Sequence, residues 1–122
     1  DGGDRRERAM RRLVEAMTAY PELVSGEGEC CTDLMRATGG RVAVKGGAEG
    51  VYVAILPDQR LGVALKIVDG SDRAREAAMT ALLIRLGALD PAHPVAVKRL
   101  QAEMRNWRGK HVGGMRLAPG FC

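Results

Sequence analysis

The sequence predicts an α+β fold, in which helices pack on an antiparallel sheet. Two β-rich segments, Val51–Leu56 and 61–68, are joined by a turn sequence that contains Pro57 and Asp58, as in a hairpin. Segments with helical periodicity stand before and after this hairpin and do not alternate with single strands, which argues against a doubly wound sheet. Because 122 residues with 46% apolar composition suffice for one core, we expect a single domain over residues 1–122.

The first helix is predicted over residues 5–20. Its apolar residues recur at helical spacing: Met10, Leu13, Val14, Met17 and Tyr20. The opposite side carries a cluster of arginines: Arg5, Arg6, Arg8, Arg11 and Arg12. Interleaved acidic residues favour a solvated, ion-paired face, with a phosphate-binding patch as the alternative. Pro21 is expected to end the helix.

A short helix and the first strand are predicted next. A polar loop over residues 25–29 leads to a helix from about 32 to 37. Gly39 and Gly40 follow it at positions suited to a left-handed cap. The apolar segment 41–44 then predicts a strand that leads into a glycine-rich turn.

The second half of the chain predicts a return strand, two helices and a last strand. Strand 61–68 has alternating apolar residues on one face and small residues on the other, which indicates a close neighbour on both faces. Helical spacing predicts helices over 73–86 and 95–105. Residues 106–109 form a predicted turn, and 111–117 a final strand.

Composition argues against several classes of protein. The net charge of +4 is modest and the arginines are spread along the chain, so nucleic acid is not an expected partner. Only 3% of residues are aromatic, which leaves few platforms for base stacking, and Trp107 is expected in the core. No run of 18 apolar residues and no secretory leader is visible, so we expect no membrane partner and a cytoplasmic location.

The cysteines give no sign of a metal or disulfide framework. The chain has three, Cys30, Cys31 and Cys122, which is an odd number without metal-ligand spacing. We therefore expect reduced thiols, no metal site made by this chain alone and no cofactor.

The most informative motif is VKGGAEGVY at positions 44–52, where Lys45 ends an apolar strand and glycines follow at once. Glycines without a Cβ let a ligand or another backbone approach closely. We expect the fold to bury the amine of Lys45, where it can act beside a carbonyl substrate. A strand bulge and a lysine that simply reaches water are the alternative. The segment matches neither G-x-G-x-x-G nor a phosphate-binding G-K-[ST] pattern.

Several segments in this order resemble the asparaginase II family, bacterial amidohydrolases built on a serine β-lactamase-like fold. They are residues 16–17 with 21–26, 31–32 with 34–35, 45–51, 61–67 with 69–70 and 73–74, and 106–109 with 112–113. The resemblance is to the later part of the family's chain and runs from about residue 10 of this one.

This resemblance implies hydrolysis of L-asparagine to L-aspartate and ammonia through a serine acyl-enzyme, with a neutral lysine amine that helps to move the proton. Lys45 is the implied catalytic lysine. The implied substrate-binding residues are Cys31, Gly46, Gly47, Ala48, Glu49 and Gly50. We expect Glu49 to orient the backbone or bind the α-amino group, and a structural role for the Cys31 thiol is the alternative.

The chain departs from the family at the nucleophile. The family's serine stands in an S-x-x-K motif, whereas Ser25 and Ser71 are followed three positions later by Gly28 and Ala74. We therefore expect a part of a longer enzyme, a truncated product or a descendant with another role. A missing amino-terminal part would leave apolar surface, so a homo-oligomer or association with that part is expected. The alternative is a non-catalytic interaction module that binds an acidic partner.

Overall fold

The computed structural model describes residues 3–121 and has the predicted α+β class. The helices are α1 (Arg5–Ala19), α2 (Pro21–Ser25), α3 (Cys30–Ala37), α4 (Asp72–Arg85) and α5 (Pro94–Leu100). The strands are β1 (Ala43–Gly46), β2 (Val51–Leu56), β3 (Leu61–Lys66), β4 (Glu103–Arg105) and β5 (His111–Gly114). Strands β1, β2 and β3 form an antiparallel sheet with β2 in the middle, and β4 pairs with β5 in a separate antiparallel hairpin.

The core lies between one face of the three-stranded sheet and helices α3 and α4. The sheet contributes Val44, Tyr52, Ala54 and Leu56 to it, α3 contributes Cys30, Cys31, Leu34 and Met35, and α4 contributes Met79 and Leu83. Alternate residues of a strand point to opposite faces, so the buried residues of β2 recur at every second position. This arrangement places the end of β1 beside the first turn of α3 and the first half of α4.

The second face of the sheet is open at β3. Val63 and Leu65 pack against the core, as the alternation predicts. Gly62 and Ala64, on the other side of the strand, are exposed. The expectation of a close neighbour on that face is therefore wrong for residues 3–121. Helix α1 lies beside the sheet at the end of β2, where Met10 and Val14 share a cleft with Ile55, and this position does not cover β3.

The amino-terminal helices follow the prediction with shifted ends. Pro21 does end the first helix, but it also begins α2, because proline fits the first helical position, where the missing N–H costs nothing. Helix α3 begins at Cys30 and not at Thr32. Thr32 is buried inside the helix, and its hydroxyl donates to the carbonyl of Gly26 over 2.5 Å.

The carboxy-terminal part corrects two expectations. The helix predicted over 95–105 ends at Leu100, because the segment that follows pairs with β5 as strand β4. Short amphipathic segments of this kind fit either structure, and tertiary pairing decides between them. Trp107 is fully exposed and not part of the core, since it lies in the hairpin turn where the N–H of Asn106 donates to the carbonyl of Lys110.

Cys30 and Cys31 are buried free thiols, and Cys122 lies outside the described residues. No helix within residues 3–121 has the length and apolar composition needed to cross a membrane.

Candidate active site

The turn between β1 and β2 is a compact backbone structure. The N–H of Gly47 donates to the carbonyl of Val51 over 2.8 Å and closes the turn. Inside it, Glu49 has φ 57° and Gly50 has φ 76°, both in the left-handed region. A Cβ at position 50 would lie 2.9 Å from the Cβ of Ile67, so the turn requires glycine there for both conformation and space.

Helix α3 holds the start of this turn. The backbone N–H of Gly46 donates to the sulfur of Cys31 over 3.2 Å. The thiol is buried in the first turn of α3, so its contact fixes the end of β1 against that helix.

Helix α4 holds the turn from the other side through Arg75. The Nη1 group of Arg75 donates to the carbonyl of Gly47 and, over 3.3 Å, to the carbonyl of Val51. Its guanidinium also lies 5.6 Å from the centre of the Tyr52 ring, in the range of a cation–π contact. One side chain therefore joins both ends of the turn to the aromatic residue beneath it.

These elements enclose a polar cavity of about 320 Å³. It is lined by Ser25, Glu29, Cys30, Cys31, Lys45, Gly46, Gly47, Ala48, Tyr52, Arg75 and Glu76. Five of the site residues expected from the sequence thus come together, while Glu49 and Gly50 do not line the cavity. Glu49 is exposed, and its carbonyl accepts a hydrogen bond from the amine of Lys66. The binding roles of all these residues stay predictions.

Lys45 lies within β1 at the rim of the cavity and is exposed, so its expected burial is wrong. The reason is its register: Lys45 stands opposite Val53, and both point away from the core face that Val44 occupies. The amine donates to the carbonyl of Gly46 over 2.6 Å, which keeps it beside the turn.

Six residues that line the cavity were not predicted from the sequence: Ser25, Glu29, Cys30, Tyr52, Arg75 and Glu76. Tertiary packing brings them together from α2, the N-cap and first residue of α3, β2 and α4, so no local spacing shows the site. One signal was present, because Arg75 and Glu76 interrupt an alanine-rich segment of α4 with two adjacent opposite charges.

A network of ion pairs supports the cavity from below. Arg99 of α5 lies 2.9 Å from Glu76 and 3.0 Å from Asp33, and it also donates to the carbonyl of Gly28. Burial raises the pKa of Glu76, although the positive charges of Arg99 and Arg75 act in the opposite direction. The network ties α3, α4 and α5 together beneath the polar wall.

Buried thiol and phenol groups form a neutral part of the wall. Burial raises the pKa of the Cys30 thiol to about 12, and it also raises the pKa of Tyr52, with the neighbouring Cys30 adding to the effect. The hydroxyl of Tyr52 has no hydrogen-bond partner among the described residues. Within residues 3–121, no three His, Cys, Asp or Glu side chains are placed to hold a metal ion.

The cavity is concave and brings a few polar and charged groups together, as is typical of small-molecule sites in enzymes. Residues 1–117 match the L-asparaginase II family, and the chain belongs to this family. The match covers most of the chain and starts at residue 1, so the resemblance is neither limited to a later part nor delayed to about residue 10. No curated protein matches the chain at a significant level. Membership of the family indicates an asparaginase-like function.

Proposed function

We propose that the cavity binds L-asparagine and that Lys45 takes part in hydrolysis of its side-chain amide to L-aspartate and ammonia. The observation that carries this proposal is the convergence of Cys31, Lys45 and the backbone of 46–48 on one polar cavity in a chain of the L-asparaginase II family. These residues come from two separate segments, and the fold brings them to one place.

The charges around the cavity suit a free amino acid. Lys45 and Arg75 supply positive charge, and Glu29 and Glu76 supply negative charge. A zwitterion offers a carboxylate to the first pair and an ammonium group to the second, with charge-assisted hydrogen bonds as the gain. The volume of about 320 Å³ lies at the small end of ligand cavities and fits such a compact molecule. We assign the α-ammonium group to the side of Glu29 and Glu76, because Glu49 lies outside the cavity lining.

The proposed reaction has two steps. A serine hydroxyl attacks the amide carbon, the C–N bond breaks, and the departing nitrogen takes up a proton and leaves as ammonia. Water then cleaves the resulting ester and releases L-aspartate. A neutral amine at Lys45 would carry the proton between the serine and the leaving nitrogen.

The exposed position of Lys45 places a condition on this role. An amine must be neutral before it can accept a proton, and contact with water favours the charged form. The proposed role therefore requires that bound substrate or a covering protein segment exclude water from the amine.

The source of the nucleophile follows from the serines of the chain. Ser25 lines the cavity but lacks the S-x-x-K spacing, and Ser71 does not line it. We propose that the nucleophile comes from a segment outside residues 3–121. A Ser25→Ala variant tests this directly, because it should keep whatever ammonia release the protein shows.

We also propose a β-lactamase-like arrangement in which residues 1–122 form one domain. The antiparallel sheet with α3 and α4 on one face, and a lysine on the strand beside the cavity, supports the arrangement. The continuous buried cluster that joins sheet and helices supports one domain. A solved structure of the chain with its covering segment is the direct test.

The experiment compares Lys45→Met with Lys66→Met. Lys66 is a matched control, because it is an exposed lysine on the same sheet whose amine bonds to backbone carbonyls and does not line the cavity. Calorimetric titration with L-aspartate should show binding to the unaltered protein and to Lys66→Met, and binding at least about tenfold weaker to Lys45→Met. Ammonia release from L-asparagine is measured alongside. Equal affinities and equal rates in the two variants would remove Lys45 from the site.

A further inference from the structure

Helix α1 presents an apolar stripe that nothing covers among residues 3–121. None of its residues is buried. Leu13 is 65% exposed and Tyr20, which caps the helix, is 59% exposed, while Leu23 just beyond is 81% exposed. A 15-residue helix without a buried side chain gains little from packing, and isolated helices of this length are marginal in water.

The stripe has the spacing of a coiled-coil seam. Ala9, Leu13 and Ala16 follow one another at intervals of four and three residues, which places them on one side of the helix, and the C-cap residue Tyr20 follows four positions later. The small alanines beside Leu13 leave room for a side chain from a facing helix.

A different side of α1 serves the fold itself. Met10 and Val14 line a cleft of about 490 Å³ together with Ile55 and Pro57, at the end of the sheet. The helix therefore carries two apolar strips, and the contact with its own sheet uses the strip that contains Val14. The outer strip stays exposed among residues 3–121.

Positive charge flanks the outer stripe. Arg5 and Arg12 stand seven residues apart at the position beside the seam where paired helices place charges that select partners. Neither arginine has an acidic side chain within ion-pair distance in the part of the chain that the structure describes. The five arginines of α1 outnumber its nearby acids Asp4, Glu7 and Glu15, so a second copy of the same helix would meet like charge.

We propose that the outer stripe of α1 docks an amphipathic helix of a partner chain, with leucine-type residues facing Leu13 and Tyr20 and carboxylates facing Arg5 and Arg12. Apolar contact along the seam supplies affinity. The flanking charges choose the partner and its register, because a basic helix at the same place would leave uncompensated positive charge. This surface is separate from the cavity lining and does not depend on amide hydrolysis.

The test uses two synthetic helical peptides of about three heptads, with leucine at the seam positions and either glutamate or lysine at the flanking ones. Fluorescence anisotropy at low salt should show the glutamate peptide binding at least about tenfold more tightly than the lysine peptide. Leu13→Asp should lose about tenfold or more in affinity for the glutamate peptide. Arg12→Glu should remove its advantage over the lysine peptide. Val112→Asp, an exposed position on β5, should bind as the unaltered protein does.

Circular dichroism checks that each variant keeps its helix content, which is expected because Leu13 and Arg12 are exposed. Equal binding of the two peptides, or binding of neither, would overturn the proposal. So would a protein dimer in sedimentation that Leu13→Asp dissociates, since the occupant would then be a second copy.

Discussion

The sulfur of Cys31 accepts the backbone N–H of Gly46 over 3.2 Å, and this contact joins the first turn of α3 to the end of the lysine strand. The two residues are 15 positions apart in sequence. Together with Arg75, which holds the other side of the turn, the contact fixes the floor of the cavity from two helices. The glycine turn is therefore held in place by side chains of α3 and α4.

Cys31→Val should weaken the attachment of β1 to α3, because valine is similar in size but offers no acceptor to the Gly46 N–H. The Gly46 N–H is part-buried, and a buried backbone donor left without a partner costs about 1–3 kcal/mol of unfolding free energy, so we expect a loss toward the lower end of this range. Urea unfolding measures the loss, and amide hydrogen exchange at Gly46 should become faster than in the unaltered protein. Cys31→Ser is the matched control, since its oxygen can still accept. Unchanged exchange at Gly46 in Cys31→Val would show that the sulfur does not hold the strand.

Gly50→Ala should destabilise the protein far more than Gly62→Ala. At position 50 the backbone has φ 76°, and a new Cβ would lie 2.9 Å from the Cβ of Ile67 and 3.1 Å from backbone atoms. The left-handed conformation costs about 1–2 kcal/mol, and overpacking adds about 1–3 kcal/mol. At position 62 nothing lies within 4 Å of the new Cβ. Urea midpoints of the two variants give the comparison, and equal midpoints would contradict the close approach of the turn to Ile67.

The sequence predicted the helices and strands whose pattern is local. Its predictions failed where pairing with a distant segment decides the secondary structure. The hairpin of β2 and β3 and the helix α4 emerged close to their predicted bounds, since alternation and helical spacing depend on neighbours along the chain. Residues 103–105 form a strand because β5 pairs with them, and their own pattern was equally compatible with a helix.

At the candidate site, too, local sequence patterns were informative and contacts between distant segments were not visible. The motif around Lys45 located the turn, because glycines and a strand-end lysine are visible in a short segment. The exposure of Lys45 was not visible there, since one residue of register moves a side chain to the other face of the sheet. Arg75 and Glu76 reach the cavity from helix α4, which follows the lysine motif in the chain only after strands β2 and β3, so no pattern within either segment shows that they meet.

Arg99→Met should cost about 3 kcal/mol or more of unfolding free energy. Its guanidinium bridges Asp33 and Glu76, and all three side chains are mostly buried. The substitution leaves Glu76 without its ion-pair partner and leaves Asp33 with only the longer contact of 3.9 Å to Lys98. Arg105→Met is the control, because its pair with Glu103 is exposed and such pairs contribute about 0–1 kcal/mol. Urea unfolding of both variants measures the difference. Equal losses would mean that the buried network does not hold α5 against α3 and α4.

The free energy of unfolding should fall as the solution becomes alkaline, and Cys30 should account for part of the fall. The pKa of its thiol is raised by burial from 9.0 to about 12, so the unfolded chain releases this proton at lower pH than the folded protein does. The unfolded state therefore binds fewer protons between about pH 9 and about pH 12, and stability is lost as pH rises through that window. At about 1.4 kcal/mol per pKa unit the loss reaches at most about 4 kcal/mol.

Urea unfolding at about pH 8 and about pH 10.5 tests this pH dependence. Cys30→Ala should show a smaller decrease between the two pH values than the unaltered protein, whatever its stability at the lower pH. Tyr52→Phe should reduce the decrease further, because burial raises the pKa of Tyr52 in the same direction. Tyr20→Phe is the control for the phenol, since Tyr20 is exposed. A decrease of full size in Cys30→Ala would show that the thiol already titrates in the folded protein, and that the wall of the cavity beside Tyr52 is open to water.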